Sequence, residues 1–318
     1  MIARRVARKP SKSQWYAARH FTEQELIVTK RACGMLCVAV AALATASAHA
    51  ESNYTVSVTP LYIGDAGLEN GGKARLQSMN GNISGSWNLN QASNIGVQVA
   101  YAHDDWEFTD RTALWKNVTR YGVSVPFMMA LSPEWRLSVT PNIGVAAETG
   151  AGSSDAILGG VSAGAFKVFG ENKVIGAGLA VFSSIDQVRA FPYVIVNWKF
   201  DDHWRLANPL AVGPTGPAGV ELSYDSGKSW DVGVGGAYRS ARFRLNENNV
   251  GAPKGVGQYS TLPVFLRAGY DAKLWRLDGY LGMSVLGSMK TENANGDDVF
   301  KEDLDPALMA GVTLSINF

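Results

Sequence analysis

The sequence predicts an all-β protein: a transmembrane, antiparallel, up-and-down β-barrel of about fourteen strands with no plug domain. Three observations predict it. Apolar residues recur at every second position in segment after segment, the connections alternate strictly between long and short, and six tryptophans flank the short ones. After residue 50 there is no uninterrupted apolar run of about eighteen residues, the length a membrane-spanning helix needs.

Residues 1–50 read as an N-terminal extension and a cleaved secretory signal peptide, leaving the barrel in 51–318. Met35 to Ala46 is an apolar stretch preceded by Lys30 and Arg31. It is followed by Ala48-His49-Ala50, a small-x-small pattern that places cleavage after Ala50. The basic stretch before Thr29 is read as lying upstream of the true start, with initiation near Val28. Both cysteines, Cys33 and Cys37, fall in this segment, so no disulfide or thiolate metal site is expected in the barrel. Of 29 Lys+Arg and 28 Asp+Glu, residues 1–50 hold 8 and 2; the remaining 21 and 26 give 51–318 a net charge of −5. That balance argues against a nucleic-acid partner.

The strands follow in order. Tyr54, Val56, Val58, Pro60 and Tyr62 share one face, and Ile83, Gly85, Trp87 and Leu89 alternate with Asn82, Ser84, Ser86 and Asn88. Alternation of this kind marks a strand with one apolar and one wetter face. It continues through Ile95–Tyr101, Tyr121–Phe127 and 135–145, the last with Arg136, Ser138, Thr140 and Asn142 on the second face. Small residues blur the phase of 157–169, where Lys167 is expected to point inward or to snorkel. Ile175, Val194, Val196, Trp198 and Phe200 extend the pattern. The segment 204–210 is the weakest strand, crowded by Pro209, Pro214 and Pro217. Strands at 220–224, 230–238, 262–270 and 275–285 precede the closing one, in which Leu308, Ala310, Val312, Leu314, Ile316 and Phe318 alternate to the terminus.

Short connections are expected at 91–93, 129–134, 170–172, 201–203, 225–229 and 271–273. Long ones are expected at 64–80, 103–117, 148–156, 183–189, 211–217, 243–258 and 287–305. Tight periplasmic turns and longer outer loops are the asymmetry of outer-membrane barrels. Trp87, Trp135, Trp198, Trp204, Trp230 and Trp275 would form an aromatic belt at the periplasmic interface, with Trp106 and Trp115 at the opposite rim.

From Tyr238 onward the chain resembles an uncharacterised family of Gram-negative outer-membrane β-barrel proteins. YRSARFRL (238–245), GVG (255–257), LPVFLRAGY (262–270), LDGYLGM (277–283) and DPALMAGVTLSINF (305–318) carry the likeness, which covers the last third well and the rest in general pattern. It implies the barrel fold and the cell outer membrane, and supplies no catalytic residue. The ending also resembles the C-terminal targeting signal of such barrels, with Phe318, Ile316 and Leu314 at its alternate positions. That implies recognition by the barrel-assembly machinery, alongside outer-membrane lipid and lipopolysaccharide as surroundings.

The register turns Arg120, Arg136, Lys199, Glu221, Asp231, Arg239, Arg267, Arg276 and Asp278 inward. Such a set would line a weakly anion-favouring pore, or would pair across strands and fill the interior. The expected function is a passive channel for small hydrophilic solutes, without a cofactor; the alternatives are a closed structural barrel and a rim hydrolase. The last would rest on His103, Asp104 and Asp105, expected at the outer end of the third strand, and no second catalytic motif faces them. The acidic loop 290–303 contains Asn295-Gly296, a hairpin-turn signal, and is expected to protrude into solvent.

The terminal residue yields a first prediction. Deleting Phe318 removes one residue's apolar burial, at most about 3 kcal/mol, which a finished barrel tolerates. The deletion should therefore lower the amount of heat-modifiable, membrane-integrated protein far more than the unfolding midpoint of whatever does assemble. Normal assembly with only a lowered midpoint would remove the targeting role.

Overall fold

The computed structural model describes residues 52–152, 154–209 and 218–318, and the expected signal segment, with Ala48 and Ala50, lies outside these described residues. The chain begins its sheet with β1 (Ser52–Gly67), β2 (Lys73–Asn90), β3 (Ser93–Thr109), β4 (Val118–Ser124), β5 (Phe127–Ala130) and β6 (Trp135–Glu148). After a short 3₁₀ turn, η1 (Ser154–Ala156), follow β7 (Ile157–Phe169), β8 (Lys173–Ser184), β9 (Val188–Lys199), β10 (Trp204–Ala207) and β11 (Gly219–Asp225). The last third holds β12 (Trp230–Ala237), β13 (Arg239–Arg244), β14 (Val256–Asp271), β15 (Trp275–Glu292), β16 (Asp298–Leu304) and β17 (Ala307–Asn317).

Three pairs of these segments are halves of single staves. β4 and β5 both lie between β3 and β6, β12 and β13 both pair with β14, and β16 and β17 both pair with β15. Seventeen segments therefore make fourteen staves. Pro126 and Pro306 mark two of the breaks, since proline brings no N–H to a ladder. The barrel closes where β1 meets β17, from Thr55↔Asn317 to Ile63↔Met309. Inside that seam Thr59 Oγ1 lies 2.8 Å from Thr313 Oγ1 and Ser57 Oγ 2.9 Å from Ser315 Oγ. At its end the Phe318 N–H donates to the Tyr54 carbonyl at 2.9 Å.

Alternation sets the two faces. Leu308, Val312, Leu314, Leu266, Leu281, Val232 and Val194 are exposed on the outside, an apolar surface that lipid would cover. Short turns are stapled by their own side chains: Asp201 Oδ1 accepts from the His203 and Trp204 amides, both at 2.7 Å. Those two bonds hold the Asp201 carboxyl below the ordinary carboxylate range. Asp225 and Asp271 accept likewise from Gly227 and Lys273, each at 2.8 Å. Lys167 points outward and snorkels, with its ammonium 2.9 Å from Glu134 and over the Phe169 ring.

The outer connections differ from the sequence expectation. Most of 64–80 and 287–305 is strand, as are 103–109 and 256–258, because β2 and β15 run for 18 residues, β3 for 17 and β14 for 16. A crossing needs only about 9–11, so these staves project beyond the membrane. The connection at 183–189 shrinks to three residues, and the turn at 293–297 uses Gly296 at φ 88°. The 290–303 hairpin is not wholly solvated: Glu292 and Glu302 at its base are buried. Trp115 is buried in the outer half of the interior, and Trp106 packs against that buried cluster instead of on a lipid-facing rim.

That cluster joins Leu76, Trp106, Phe108 and Trp115 from one side to Phe243, Leu245, Tyr259 and Met289 from the other. Trp115 meets Phe243 edge-on at 5.1 Å and Trp106 meets Tyr259 at 4.8 Å. Truncating a fully buried ring at such a contact costs about 3–5 kcal/mol. Phe243→Ala should therefore leave the membrane-embedded staves folded while exposing 239–258 to protease. Equal protection of that segment in both proteins would contradict the packing.

Candidate functional site: the capped outer end of the lumen

Four projecting segments, β13 and the outer ends of β14, β15 and β16, form a sheet that leaves the cylinder and crosses its outer end. β13 pairs with β14 on one edge, and its other edge reaches β6 through a parallel bridge, Arg244↔Ala147. β6 belongs to a stave on the far side of the barrel order. A parallel contact in an otherwise antiparallel barrel is the mark of a strand that has crossed the mouth.

One face of this cap carries the aromatic cluster described above. The other face carries charge. The Arg242 guanidinium grips Glu292 bidentately, Nη1 to Oε1 at 3.0 Å and Nη2 to Oε2 at 2.5 Å. Its Nε donates to the carbonyls of Ser184 and Ile185 at 3.1 and 3.2 Å, in the turn between β8 and β9. Both ions are about 2 % exposed. Around them Lys290 Nζ lies 2.9 Å from Glu292, Gln187 donates to Glu292 at 3.3 Å, and Arg189 donates to Gln258 at 2.6 Å. Arg244 ties the edge down through Asp186 at 2.9 Å and the Asp155 carbonyl at 2.9 Å. Beyond it the Asn246 amide donates to Glu148 at 2.8 Å, and Asn249 donates to the Leu114 carbonyl at 2.8 Å.

All three guanidinium nitrogens of Arg242 and both carboxylate oxygens of Glu292 are engaged, and a buried ion pair is tolerable only with such additional hydrogen bonds. The Arg242 hydrogen bonds, with Lys290 beside them, hold the Glu292 carboxyl down at about 2. Glu292 is well outside the membrane core, standing about 40 Å above Trp275 along the axis at about 3.3 Å per residue and a tilt of about 40°.

Below the cap the expected lining residues fall into distinct groups. Arg267 sits at the centre of one, 2.8 Å from Asp278, 2.7 Å from Glu221 and 2.5 Å from Asp231. Arg276 adds contacts of 2.6 Å to Asp231 and 2.8 Å to Asp278. Two cations thus meet three carboxylates. Arg120 pairs with Asp104 at 2.7 Å, and Asp104 also accepts from Ser78 at 2.5 Å. Arg136 and Arg239 are half-buried on inward register positions, and Arg239 is engaged as well. Lys199 lies at the periplasmic turn, 3.3 Å from Asp202. Of these expected inward residues, Arg120, Arg267 and Arg276 pair with carboxylates across strands.

His103 is on β3 and faces outward. Its Nδ1 lies 2.9 Å from Thr119 Oγ1 and its Nε2 3.4 Å from Asp105. Asp104 points to the opposite face, so strand alternation separates the two neighbours that a rim hydrolase would have used together. Sequence reasoning missed the Arg242–Glu292 pair because the two are 50 residues apart, with Arg242 just before one expected loop and Glu292 within another. The RSARFRL alternation, with Arg at every second or third position, was the available signal.

A closed, fourteen-stave antiparallel barrel with an apolar outer face defines the class: a transmembrane β-barrel of the outer-membrane kind. Residues 75–318 match the family described as Domain of unknown function (DUF6268), and the chain belongs to that family. No curated protein matches the sequence. Among solved structures it is similar to the COG4313 outer membrane channel from Pseudomonas putida F1, with 9 % identity, a TM-score of 0.47, and coverage of 84 % of this chain and 95 % of that one. It is also similar to the Pseudomonas putida toluene transporter TodX, with 9 % identity, a TM-score of 0.43, and coverage of 84 % and 89 %. A Pseudomonas aeruginosa FadL homologue matches with 10 % identity, a TM-score of 0.42, and coverage of 83 % and 89 %. Identities this low say nothing of solute or partner.

The low value at Glu292 sets a pH expectation. A carboxylate whose value falls on folding contributes stability above the ordinary carboxylate range and loses it as pH drops toward about 2. Protection of 239–258 from hydrogen exchange should therefore be flat from neutral pH to about 5 and weaken on further acidification. Glu292→Gln should abolish that acid step, because an amide does not titrate there. A step near neutral pH in the unsubstituted protein would assign the clamp to other groups.

Proposed function

We propose that the protein is a channel of the Gram-negative outer membrane whose axial path is shut at the outer end by its own strands, so that it conducts only when the cap is displaced. The cap carries this reading: a sheet crossing the mouth and locked by a buried bidentate ion pair above a lumen lined by Asn82, Gln98, Ser138 and Thr140. The polar lower lumen favours small hydrophilic solutes as what passes when the cap moves, and the cap itself argues against a standing-open pore. The targeting role of Phe318, Ile316 and Leu314 and the contact with lipopolysaccharide belong to the same proposal. A closed structural barrel is the competing reading, and the two differ in what happens when the clamp is broken.

Planar-bilayer recordings decide between them. Folded wild-type protein should give rare, brief current steps. Glu292→Ala and Arg242→Ala should each raise open probability at least about tenfold, the effect of about 1.4 kcal/mol on a closed–open equilibrium. Removing one partner of a buried pair destabilises by about 3–5 kcal/mol, so this is a lower bound. Steady large steps in the wild type would eliminate the gated reading. Silence in all three proteins would establish the closed barrel.

A further inference from the structure

At the periplasmic mouth of the lumen, we propose, Lys199 and Arg205 form a binding site for the carboxylate group of a small organic acid. The site names a solute class for the channel reading and rests on that reading only for the step from bound ligand to transported one.

The tryptophan belt locates the pair. Trp135, Trp198 and Trp204 turn outward at the periplasmic interface, so strand alternation turns the residues after them, Arg136, Lys199 and Arg205, toward the lumen. All three cations therefore stand near one level. Lys199 and Arg205 also stand side by side, as direct partners in the ladder between β9 and β10. Such partners have their Cβ atoms about 4.5–5.5 Å apart, and like charges placed there repel. Both residues are exposed.

The neighbouring carboxylates are committed elsewhere. Asp201 accepts from the amides of His203 and Trp204, and Asp225 from that of Gly227, so each is held by its own turn. Glu221 and Asp231, on the next two staves, are bound by Arg267 and Arg276. Asp202 does reach Lys199 Nζ at 3.3 Å, but its side chain is 96 % exposed, and an ion pair in open water is worth little. Residues 210–217 carry no ionisable side chain and leave this balance unchanged.

Arg205 is set for a planar partner. Its Nε donates to Asn197 Oδ1 at 2.8 Å, which restrains the guanidinium plane and leaves the two terminal nitrogens to a ligand. Their N–H groups match the two oxygens of a carboxylate, and the Lys199 ammonium beside them adds a compact point charge. One bound carboxylate thus turns a repelling pair into an attracting triad. An uncharged solute has nothing comparable to gain, and a cation is repelled. Arg136 lies three strand spacings away, about 14 Å along the wall, with Ala130 and Phe166 as its ladder neighbours. It adds to the field that draws an anion to the mouth without touching what Lys199 and Arg205 hold.

Titration calorimetry with succinate tests the site, on the barrel folded in detergent and verified as heat-modifiable, in about 0.1 M salt, where the Debye length is about 10 Å. Succinate should bind, and its diamide succinamide, which keeps the shape and loses the charge, should not. Arg205→Gln and Lys199→Gln should each weaken succinate at least about tenfold, the loss of one charge-assisted contact. Asp202→Asn should tighten it about twofold by releasing Lys199, a gain that no misfolded variant gives. Arg136→Gln should change the affinity less than about threefold, as a charge beyond the Debye length does. No heat from succinate, equal heats from succinate and succinamide, or equal losses in Arg136→Gln and Arg205→Gln would each overturn the site. Binding in detergent requires no conductance. A barrel that binds succinate but never conducts loses the channel reading and keeps the site, whereas one that conducts without binding loses the site alone.

Discussion

Every backbone N–H and C=O at membrane depth must find a partner inside the protein, because lipid offers none. The fourteen-stave closure follows from that requirement. The β1–β17 seam matters most, since it joins the two ends of the described sheet and leaves neither as an edge. Hydroxyl pairs at Thr59–Thr313 and Ser57–Ser315 add inward-facing hydrogen bonds to the ladder, and they fix its register. A shift of one residue would carry Leu314 and Val312 inside and the threonine and serine out. Closure and face assignment are thus one constraint stated twice.

Above the membrane the constraint relaxes and the same strands behave differently. Staves of 16 to 18 residues have more length than a crossing uses, and their surplus still alternates in side-chain direction. Within the bilayer the outward face must be apolar. Past it, the outward positions of β13, β14 and β15 carry Arg242, Gln258, Lys290 and Glu292, while the inward positions carry Phe243, Tyr259 and Met289. Neither face suits open solvent entirely. Folding the surplus across the mouth buries the rings against Trp106 and Trp115 and presses the charged face onto the β8–β9 turn, where the carbonyls of Ser184 and Ile185 complete the Arg242 shell.

This division also explains what was legible in the sequence. Period-two alternation is strict where lipid enforces it, so the staves, the inward placement of Arg267 and Asp278, and the weak four-residue β10 could all be read off the chain. Outside the membrane nothing enforces an apolar outward face. The charged run at 290–303 therefore looked like a loop, although 290–292 and 298–303 are strand with Glu292 and Glu302 buried. Trp106 and Trp115 misled for a related reason: a tryptophan near a rim suits the interface, and only the crossing of β13 offers it a drier place. The pairing of His103 with Thr119 instead of Asp104 follows from alternation alone, once 103–109 is taken as strand.

The cap begins where one stave changes partners. β13 continues the stave of β12, whose pairing with β11 runs to Gly219↔Ala237 and is followed by the Tyr238 amide donating to Ala218 at 3.0 Å. Beyond Tyr238 one edge of β13 stays with β14, while the other takes partners across the mouth, at Ala147, Asp155 and Asp186. A strand in a closed cylinder keeps both neighbours along its length; β13 keeps one and exchanges the other, and that exchange carries the sheet over the lumen.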